Sequence, residues 1–85
     1  MKTEIITKII TKDILPHIEK YKKENIILYL EANHILIEYQ NITYRFKLNK
    51  NNILSLYKGK ELLNTYPTDI KFDRVIEYIK NIHKI

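Results

Sequence analysis

The middle half of the chain constrains the fold most, because three short runs rich in Ile, Leu and Tyr are separated by two-residue reversals. The first run, Ile26–Glu31, ends at Ala32-Asn33. The second, His34–Tyr39, ends at Gln40-Asn41 and is followed by the third, Ile42–Leu48. β-Branched and aromatic residues favour strands, and Asn tolerates the positive φ that two-residue hairpin loops require. The stretch therefore predicts an antiparallel sheet.

The two reversals predict one consistent register. The first hairpin would place Leu30 opposite Ile35, and the second would place Phe46 opposite the same residue. A slip by one residue would send every side chain to the other face, so this agreement fixes an inner face. The further predicted pairs are Ile26 with Tyr39, Leu28 with Ile37, Tyr39 with Ile42 and Ile37 with Tyr44. The predicted inner face is almost wholly apolar and comprises Ile26, Leu28, Leu30, Ile35, Ile37, Tyr39, Ile42, Tyr44, Phe46 and Leu48.

Further strands follow a loop rich in Asn at Asn49–Asn52. A loop of three or five residues would turn Leu54 and Leu56 inward. A loop of four residues would instead turn Ile53, Ser55 and Tyr57 inward. The first alternative is preferred because it keeps Ser55 out of the core. Lys58-Gly59 holds the only glycine of the chain and predicts the next reversal, since glycine adopts positive φ without strain.

The N-terminal region contains a predicted helix with two alternative starting points. Lys2–Ile10 fits either a helix or a strand. A clearer helix covers residues 11–24, with Asp13 as its N-cap and Pro16 in its first turn, where a missing N–H costs little. If the helix instead begins near Thr3, Pro16 should kink it.

The C-terminal region predicts a second helix, which begins after Pro67 with Thr68 or Asp69 as its cap. Its apolar residues follow helical spacing. Laying both helices across the inner sheet face gives two layers. Residues 1–85 are therefore expected to form one small α+β domain: an N-terminal helix, an antiparallel β-meander of four to five strands and a C-terminal helix. The apolar stripe of the last helix comprises Phe72, Val75, Ile76, Ile79 and Ile82.

The outer sheet face is less polar than a solvated face should be. Ile27, Tyr29 and Leu36 would form an apolar patch, and such patches are typical of binding surfaces. Alternatively, the isoleucines of residues 1–10 fold over this face and bury it. The candidate partner-binding residues are Ile27, Tyr29, Leu36, Arg45, Lys47 and Tyr57. The register also assigns Glu31, His34, Glu38, Thr43, Ile53, Ser55, Leu62 and Tyr66 to this face.

The same face offers a second interpretation, the binding of single-stranded nucleic acid or RNA. Tyr29 and Tyr57 would stack on bases, and Arg45 and Lys47 would hold phosphates. A net charge of +5 agrees with this alternative. However, lysines and acids alternate along the chain, and such interleaving is typical of an ordinary solvated surface.

Catalytic and metal-binding patterns are scarce. The chain has no cysteine, and with one glycine it cannot build the usual phosphate-binding loop. Asp13 and His17 are four residues apart and would share a helix face, but a zinc site needs a third protein ligand. The sequence therefore predicts no enzyme activity, no cofactor, no metal and no small-molecule substrate.

A protein partner, or a second copy in a homodimer, is the expected ligand of the outer face. The longest apolar run has five residues, whereas a membrane helix needs roughly 18, and Met1–Lys8 lacks the pattern of a signal peptide. A cytoplasmic location is therefore expected. Ile, Lys, Asn and Tyr make up about half of the chain, and their codons are rich in A and T. This bias is typical of low-GC bacteria, their phages and plasmids, some archaeal viruses and some eukaryotic parasites. Together with the small size and the lack of a metabolic motif, it favours a phage, virus or mobile element, where a small binding protein would act as an inhibitor or adaptor, for example against a host defence complex.

Overall fold

A computed structural model describes residues 2–31 and 33–84, which form an N-terminal helical region, five strands and a C-terminal helix. This order confirms the predicted α+β class. Ala32 of the first predicted reversal lies outside the described residues. The elements are α1 (Lys2–Ile9), a π-helical turn (Ile10–Ile14), a 3-10 turn (Leu15–His17), α2 (Ile18–Lys23), β1 (Ile27–Leu30), β2 (His34–Tyr39), β3 (Ile42–Leu48), β4 (Leu54–Lys58), β5 (Glu61–Tyr66) and α3 (Phe72–Ile82).

The five strands form one antiparallel sheet in the order β1-β2-β3-β4-β5, with the predicted register across the first three. Ile35 lies opposite both Leu30 and Phe46. Gln40 and Asn41 have φ of 50° and 67°, as a two-residue reversal of the type I′ kind requires. The predicted pairs Leu28–Ile37, Tyr39–Ile42 and Ile37–Tyr44 are also present.

One predicted pair does not form. β1 begins at Ile27, so Ile26 precedes the ladder that would have joined it to Tyr39. The Ile26 N–H instead donates to the Tyr21 carbonyl oxygen at 2.9 Å. Ile26 is still buried, because this bond holds the end of α2 close to the start of the sheet.

A five-residue loop joins β3 to β4, which confirms that Leu54 and Leu56 turn inward. Asn49 organises this loop: its Oδ1 accepts from the backbone N–H groups of Asn51 and Ile53 at 2.9 and 3.0 Å. Asn side chains commonly replace backbone turns in this way. The register then pairs Leu48 with Leu54 and Phe46 with Leu56.

The prediction that Ser55 stays outside the core is only half right. Ser55 lies on the outer side of β4, opposite Lys47 and Thr65, but it is fully buried. Its hydroxyl donates to the Ile53 carbonyl oxygen and accepts from Asn49 Nδ2, each at 3.2 Å. The loop therefore covers this end of the outer face.

A β-bulge in β5 makes the predicted position of Tyr66 wrong. Tyr57 pairs with Leu62, but the next residue of β4, Leu56, pairs with Asn64, so Leu63 is extra. The extra residue reverses the phase of the rest of the strand. Tyr66 therefore points inward, is buried, and packs edge-on against the Phe46 ring at 5.9 Å.

The last reversal lies one residue later than predicted. Lys58 pairs with Glu61, so the loop is Gly59-Lys60 and not Lys58-Gly59. Gly59 has φ +61°, a left-handed conformation that glycine adopts without strain because it has no Cβ.

The N-terminal helical region begins at Lys2, which makes the preferred start at residues 11–13 wrong and the alternative start near Thr3 right. Pro16 lacks the N–H that an α-helix would use and crowds the preceding turn. The chain accommodates it through the π-helical turn Ile10–Ile14 and the 3-10 turn Leu15–His17.

The helices share one hydrophobic core with the inner sheet face. Ile6 and Ile9 of α1 are buried in the same cluster as Ile35 and Ile37. The alternative in which residues 1–10 cover the outer face is therefore wrong. The remaining buried apolar residues are Ile14, Tyr21, Ile26, Tyr44, Phe46, Leu48, Leu54, Leu56, Tyr66, Phe72, Val75, Ile76 and Ile79.

The cap of α3 comes from the other helical region. Lys71 occupies the N-cap position and its side chain makes no capping bond. Asp13 Oδ2 instead accepts from the Phe72 N–H at 3.1 Å. Asp13 is thus not the cap of its own helix, so that prediction is wrong. The prediction that Thr68 or Asp69 caps α3 is also wrong. The carboxylate satisfies a backbone donor of the first turn and also favours the positive end of the helix dipole.

Three further polar contacts join α2 and its C-cap to α3. The Tyr21 hydroxyl donates to Asp73 Oδ1 at 2.6 Å, and Lys20 Nζ lies 3.3 Å from Asp73 Oδ2. The hydrogen bond from Tyr21 lowers the pKa of the Asp73 carboxyl, while burial raises the pKa of the Tyr21 hydroxyl. Lys80 Nζ lies 2.6 Å from Glu24 Oε2 in a partly buried pair.

Replacing the capping carboxylate should destabilise the protein. We expect Asp13→Ala to lower the free energy of unfolding by about 1 kcal/mol, because the Phe72 N–H loses its acceptor. Asp69→Ala is the matched control, since Asp69 is exposed and its loss should change stability by less than about 0.5 kcal/mol. Urea unfolding followed by circular dichroism measures both. Equal losses in the two variants would contradict the assigned cap.

The Tyr21–Asp73 hydrogen bond should make stability depend on pH in the acid range. Because the folded pKa of Asp73 is lowered, its contribution is fully present above the unfolded pKa and disappears as the pH falls through the folded one. Tyr21→Phe should therefore cost about 1 kcal/mol near pH 7, a modest figure because Asp73 is half-exposed. The difference from wild type should shrink as the pH falls through the lowered pKa of Asp73, because the carboxyl is then protonated in both the folded and the unfolded state. Urea unfolding at several pH values tests this, with Tyr57→Phe as a control that should keep the wild-type pH profile.

Candidate functional site

Five residues, one from each strand, lie side by side across the outer face of the sheet. Tyr29 is opposite Leu36, Leu36 is opposite Arg45, Arg45 is opposite Tyr57, and Tyr57 is opposite Leu62. We call these five residues the outer row. Neighbouring strands are about 4.8 Å apart, so the row extends over roughly 20 Å.

The outer row is open to solvent at both ends and at its centre, and the two positions between are half-buried. Tyr29 is 48% exposed and Leu62 is 51% exposed. Leu36 and Tyr57 are half-buried, and Arg45 is exposed. Ile27 is also 47% exposed and lies two residues before Tyr29 on the same face of β1, opposite Glu38. The row and Ile27 therefore form an apolar and aromatic surface with one cation at its centre.

Lys47 flanks this surface and contacts it. Its Nζ lies over the ring of Tyr57, 5.4 Å from the ring centroid. A cation at this distance is attracted by the negative face of the ring. The contact directs the Lys47 side chain toward the outer row, and its ammonium group covers one face of the Tyr57 ring.

The charges of the outer face balance one another. Arg45 and Lys47 supply the cations, while Glu31 and Glu38 supply the acids. Most of the lysines behind the net charge of +5 therefore lie elsewhere in the chain. Locally, the outer face is mixed in sign.

All six candidate residues from the sequence share this face. Tyr29, Leu36, Arg45 and Tyr57 belong to the outer row, and Ile27 and Lys47 flank it. Leu62 completes the row but was not selected as a candidate, although the register had assigned it to this face. That register assignment is the sequence signal that could have included it. Whether these residues bind a partner stays a prediction.

His83 is a polar position to which the sequence assigned no role. Its Nε2 lies 2.6 Å from the Tyr44 hydroxyl, and its Nδ1 lies 3.0 Å from Gln40 Oε1. Both ring nitrogens are therefore engaged by residues around the β2–β3 reversal. The ring also packs edge-on against Tyr39 at 4.9 Å. These contacts attach the end of α3 to the sheet.

Asp13 and His17, four residues apart, do not share a metal site among the described residues. Asp13 is bonded to the Phe72 N–H, and His17 lies in the 3-10 turn beside Pro16. Within residues 2–31 and 33–84, no three His, Asp or Glu side chains come together as metal ligands. The same part of the chain contains no helix with the length and apolar character needed to cross a membrane.

Comparisons with known proteins return no relative: no protein-family model, no curated protein and no solved structure matches this chain. The candidate surface therefore stands on its geometry alone.

Substitutions on adjacent residues of β2 should distinguish the two sheet faces. Ile37 is fully buried, so Ile37→Ala should cost about 2–5 kcal/mol of unfolding free energy. Leu36→Ala, on the outer row, should cost less than about 1.5 kcal/mol, because the side chain is only half-buried. Chemical unfolding of both variants provides the measurement. A Leu36→Ala variant as unstable as Ile37→Ala would show that Leu36 belongs to a core.

Proposed function

We propose that this protein is a non-enzymatic binding protein that docks on another protein through the outer row. The observation that carries the proposal is the alignment of Tyr29, Leu36, Arg45, Tyr57 and Leu62 across an uncovered sheet face. A contiguous apolar and aromatic surface of this kind is typical of an interaction site.

The composition of the row agrees with the residue types that contribute most to protein interfaces. Tyr and Arg are enriched among the residues whose truncation weakens binding most. Arg45 lies between Leu36 and Tyr57, so a docked partner would remove its guanidinium from water and strengthen a pair with a carboxylate. The proposed partner surface is therefore apolar, with an acidic group near its centre.

The sheet prepares these side chains for binding. The opposite face of the same strands is fixed in the core by Ile35, Ile37 and Phe46, each fully buried. A row held by rigid strands loses little conformational entropy on docking. Binding through the outer row therefore needs no rearrangement of the fold.

Nucleic-acid binding is the alternative function. Arg45 and Lys47 near Tyr29 and Tyr57 favour it, but Glu31 and Glu38 on the same face would repel phosphates. Lys47 also occupies a face of Tyr57 on which a base would stack. These two features favour a protein partner.

The biological role proposed for this docking is that of an inhibitor or adaptor of phage, viral or mobile-element type, acting in the cytoplasm. Small size and the A- and T-rich codon bias of the sequence support this origin. A host defence complex is one target of suitable kind. Such inhibitors act by covering a surface and need no catalytic group.

The two arginines of the chain provide a matched test. Arg45→Glu on the outer row and Arg74→Glu on the exposed side of α3 change the net charge equally. We expect the tagged wild type to capture a specific protein from host lysate after nuclease treatment, and Arg45→Glu to lose it while Arg74→Glu retains it. Equal retention by both variants would contradict docking at the outer row. Capture that requires nucleic acid and falls steeply with salt would instead favour the alternative function.

A further inference from the structure

The two edges of the sheet are built differently. The β5 edge carries Glu61, a bulge at Leu63 and a following Pro67, and the Tyr78 hydroxyl donates to the Leu63 carbonyl oxygen at 3.1 Å. Charges, bulges and prolines are the devices that prevent an edge strand from pairing with another chain. β1, with the sequence Ile-Leu-Tyr-Leu, has none of them. Among the described residues, no strand pairs with its outer side.

The backbone of β1 directs alternate residues to this open edge. The Glu31 N–H donates to the His34 carbonyl oxygen at 3.0 Å. In an antiparallel pair every second residue makes such bonds, so Ile27 and Tyr29 bond to β2. The N–H and C=O groups of Leu28 and Leu30 therefore point away from the sheet.

The side chains of β1 are also incompletely covered. Leu30 lies on the inner, helix-covered side by alternation, yet it is 36% exposed. Leu28 is half-buried. A shallow groove runs beside the strand and is lined by Ile18, Lys22, Asn25, Ile26, Ile27 and Leu28. This apolar groove lies where a further strand would place its inward side chains.

We propose that β1 pairs antiparallel with β1 of a second copy of this chain, with Leu28 opposite Leu28 about a two-fold axis. Each Leu28 then exchanges both backbone hydrogen bonds with the other. Each Leu30 N–H donates to the carbonyl oxygen of Ile26 in the second copy. The N–H of Ile26 is already bonded to Tyr21 of its own chain and takes no part in the pairing. Four backbone hydrogen bonds therefore join the two copies in this register, and only the Leu30 carbonyl oxygens receive no backbone donor.

The side chains match in the same register. Ile27 lies opposite Tyr29 of the second copy on the outer face, and Leu30 lies opposite Ile26 in the groove. Glu31 lies opposite Asn25 of the second copy, beside Lys22, so the flanking charges are complementary. A shift that set Tyr29 opposite Tyr29 would place the Glu31 carboxylate against Ile27 and remove this complementarity. The self-complementary strand therefore selects a second copy as its partner.

The resulting dimer is one continuous ten-stranded sheet. Because the two-fold axis is perpendicular to the sheet, both outer rows face the same way and meet at β1. Pairing one short strand per copy buries less than the roughly 1,000 Å² of a stable interface, so dimerisation should depend on concentration. Dimer formation depends only on the β1 edge, and it does not require the outer row to bind another protein.

Sedimentation velocity and amide hydrogen exchange of the same samples test this proposal. Between about 10 µM and about 1 mM the wild type should change from monomer to dimer. The Leu28 and Leu30 amides should become protected over the same range. Ile27→Lys should raise the dimer dissociation constant at least about tenfold, because it removes the apolar contact between Ile27 and Tyr29 of the second copy and places two like charges in diagonal positions across the two-fold axis. Leu62→Lys is the matched control, with similar exposure on the other edge strand, and should leave the constant unchanged.

Two results would overturn the dimer. One is a wild type that stays monomeric at the highest concentration. The other is a dimer in which Leu28 and Leu30 remain unprotected and Leu62→Lys is as damaging as Ile27→Lys, which would indicate contact between outer faces. Arg45→Glu separates the two proposals, since it removes partner capture and should leave β1 pairing intact.

Discussion

The pleat of β2 is the constraint on which the rest of the structure depends. Its residues alternate between two environments, so Ile35 and Ile37 enter the core only if Leu36 faces outward. The reversal at Gln40-Asn41 fixes this phase, because both residues adopt the positive φ that brings β3 back in register. One local turn thereby determines both the apolar layer that receives the helices and the residues that form the outer row. A slip of one residue would expose the core and bury Arg45.

Packing places the helices over this layer, and directional polar contacts orient them. The Asp13 carboxylate bonds the first turn of α3, the Tyr21 hydroxyl bonds Asp73, and His83 joins the end of α3 to Tyr44 and Gln40. Apolar contacts alone tolerate sliding, whereas hydrogen bonds to charged or buried groups lose much of their energy when displaced. The contacts are distributed along α3, from its first residue to its C-cap, so they restrain rotation as well as translation. The helices therefore leave the outer face uncovered.

The parts of the fold that sequence alone predicted are those with local signals. The reversals, the inner face of the first four strands and the stripe of α3 follow from turn residues and periodicity within a few positions. The bulge at Leu63 had no such signal, because an extra residue in β5 is selected by how Tyr66 fills space beside Phe46, far away in the chain. The cap of α3 was missed for the same reason: its acceptor, Asp13, lies 59 residues before its donor. Pro16 is compatible with two starting points of the N-terminal helix, and the choice between them depends on whether the isoleucines of α1 join the core. The candidate surface was predictable as far as the first four strands fix it, and no local pattern says whether it binds a partner.

The outer row and the open edge of β1 are connected by the same geometry. Tyr29 belongs to both, since its side chain lies on the outer face while its strand forms the edge. A binding surface that ended at a protected strand would be limited to five strands and roughly 20 Å. A self-complementary edge allows two such surfaces to join without any new fold, and the aromatic side chain that ends one row then lies beside Ile27 of the other. For a chain of 85 residues, which can bury only a modest core, pairing at an edge enlarges the available docking area without requiring a larger domain. The unprotected, uncharged character of β1 is consistent with this role, because an edge serving only the fold would gain from the same charges and bulge that protect β5.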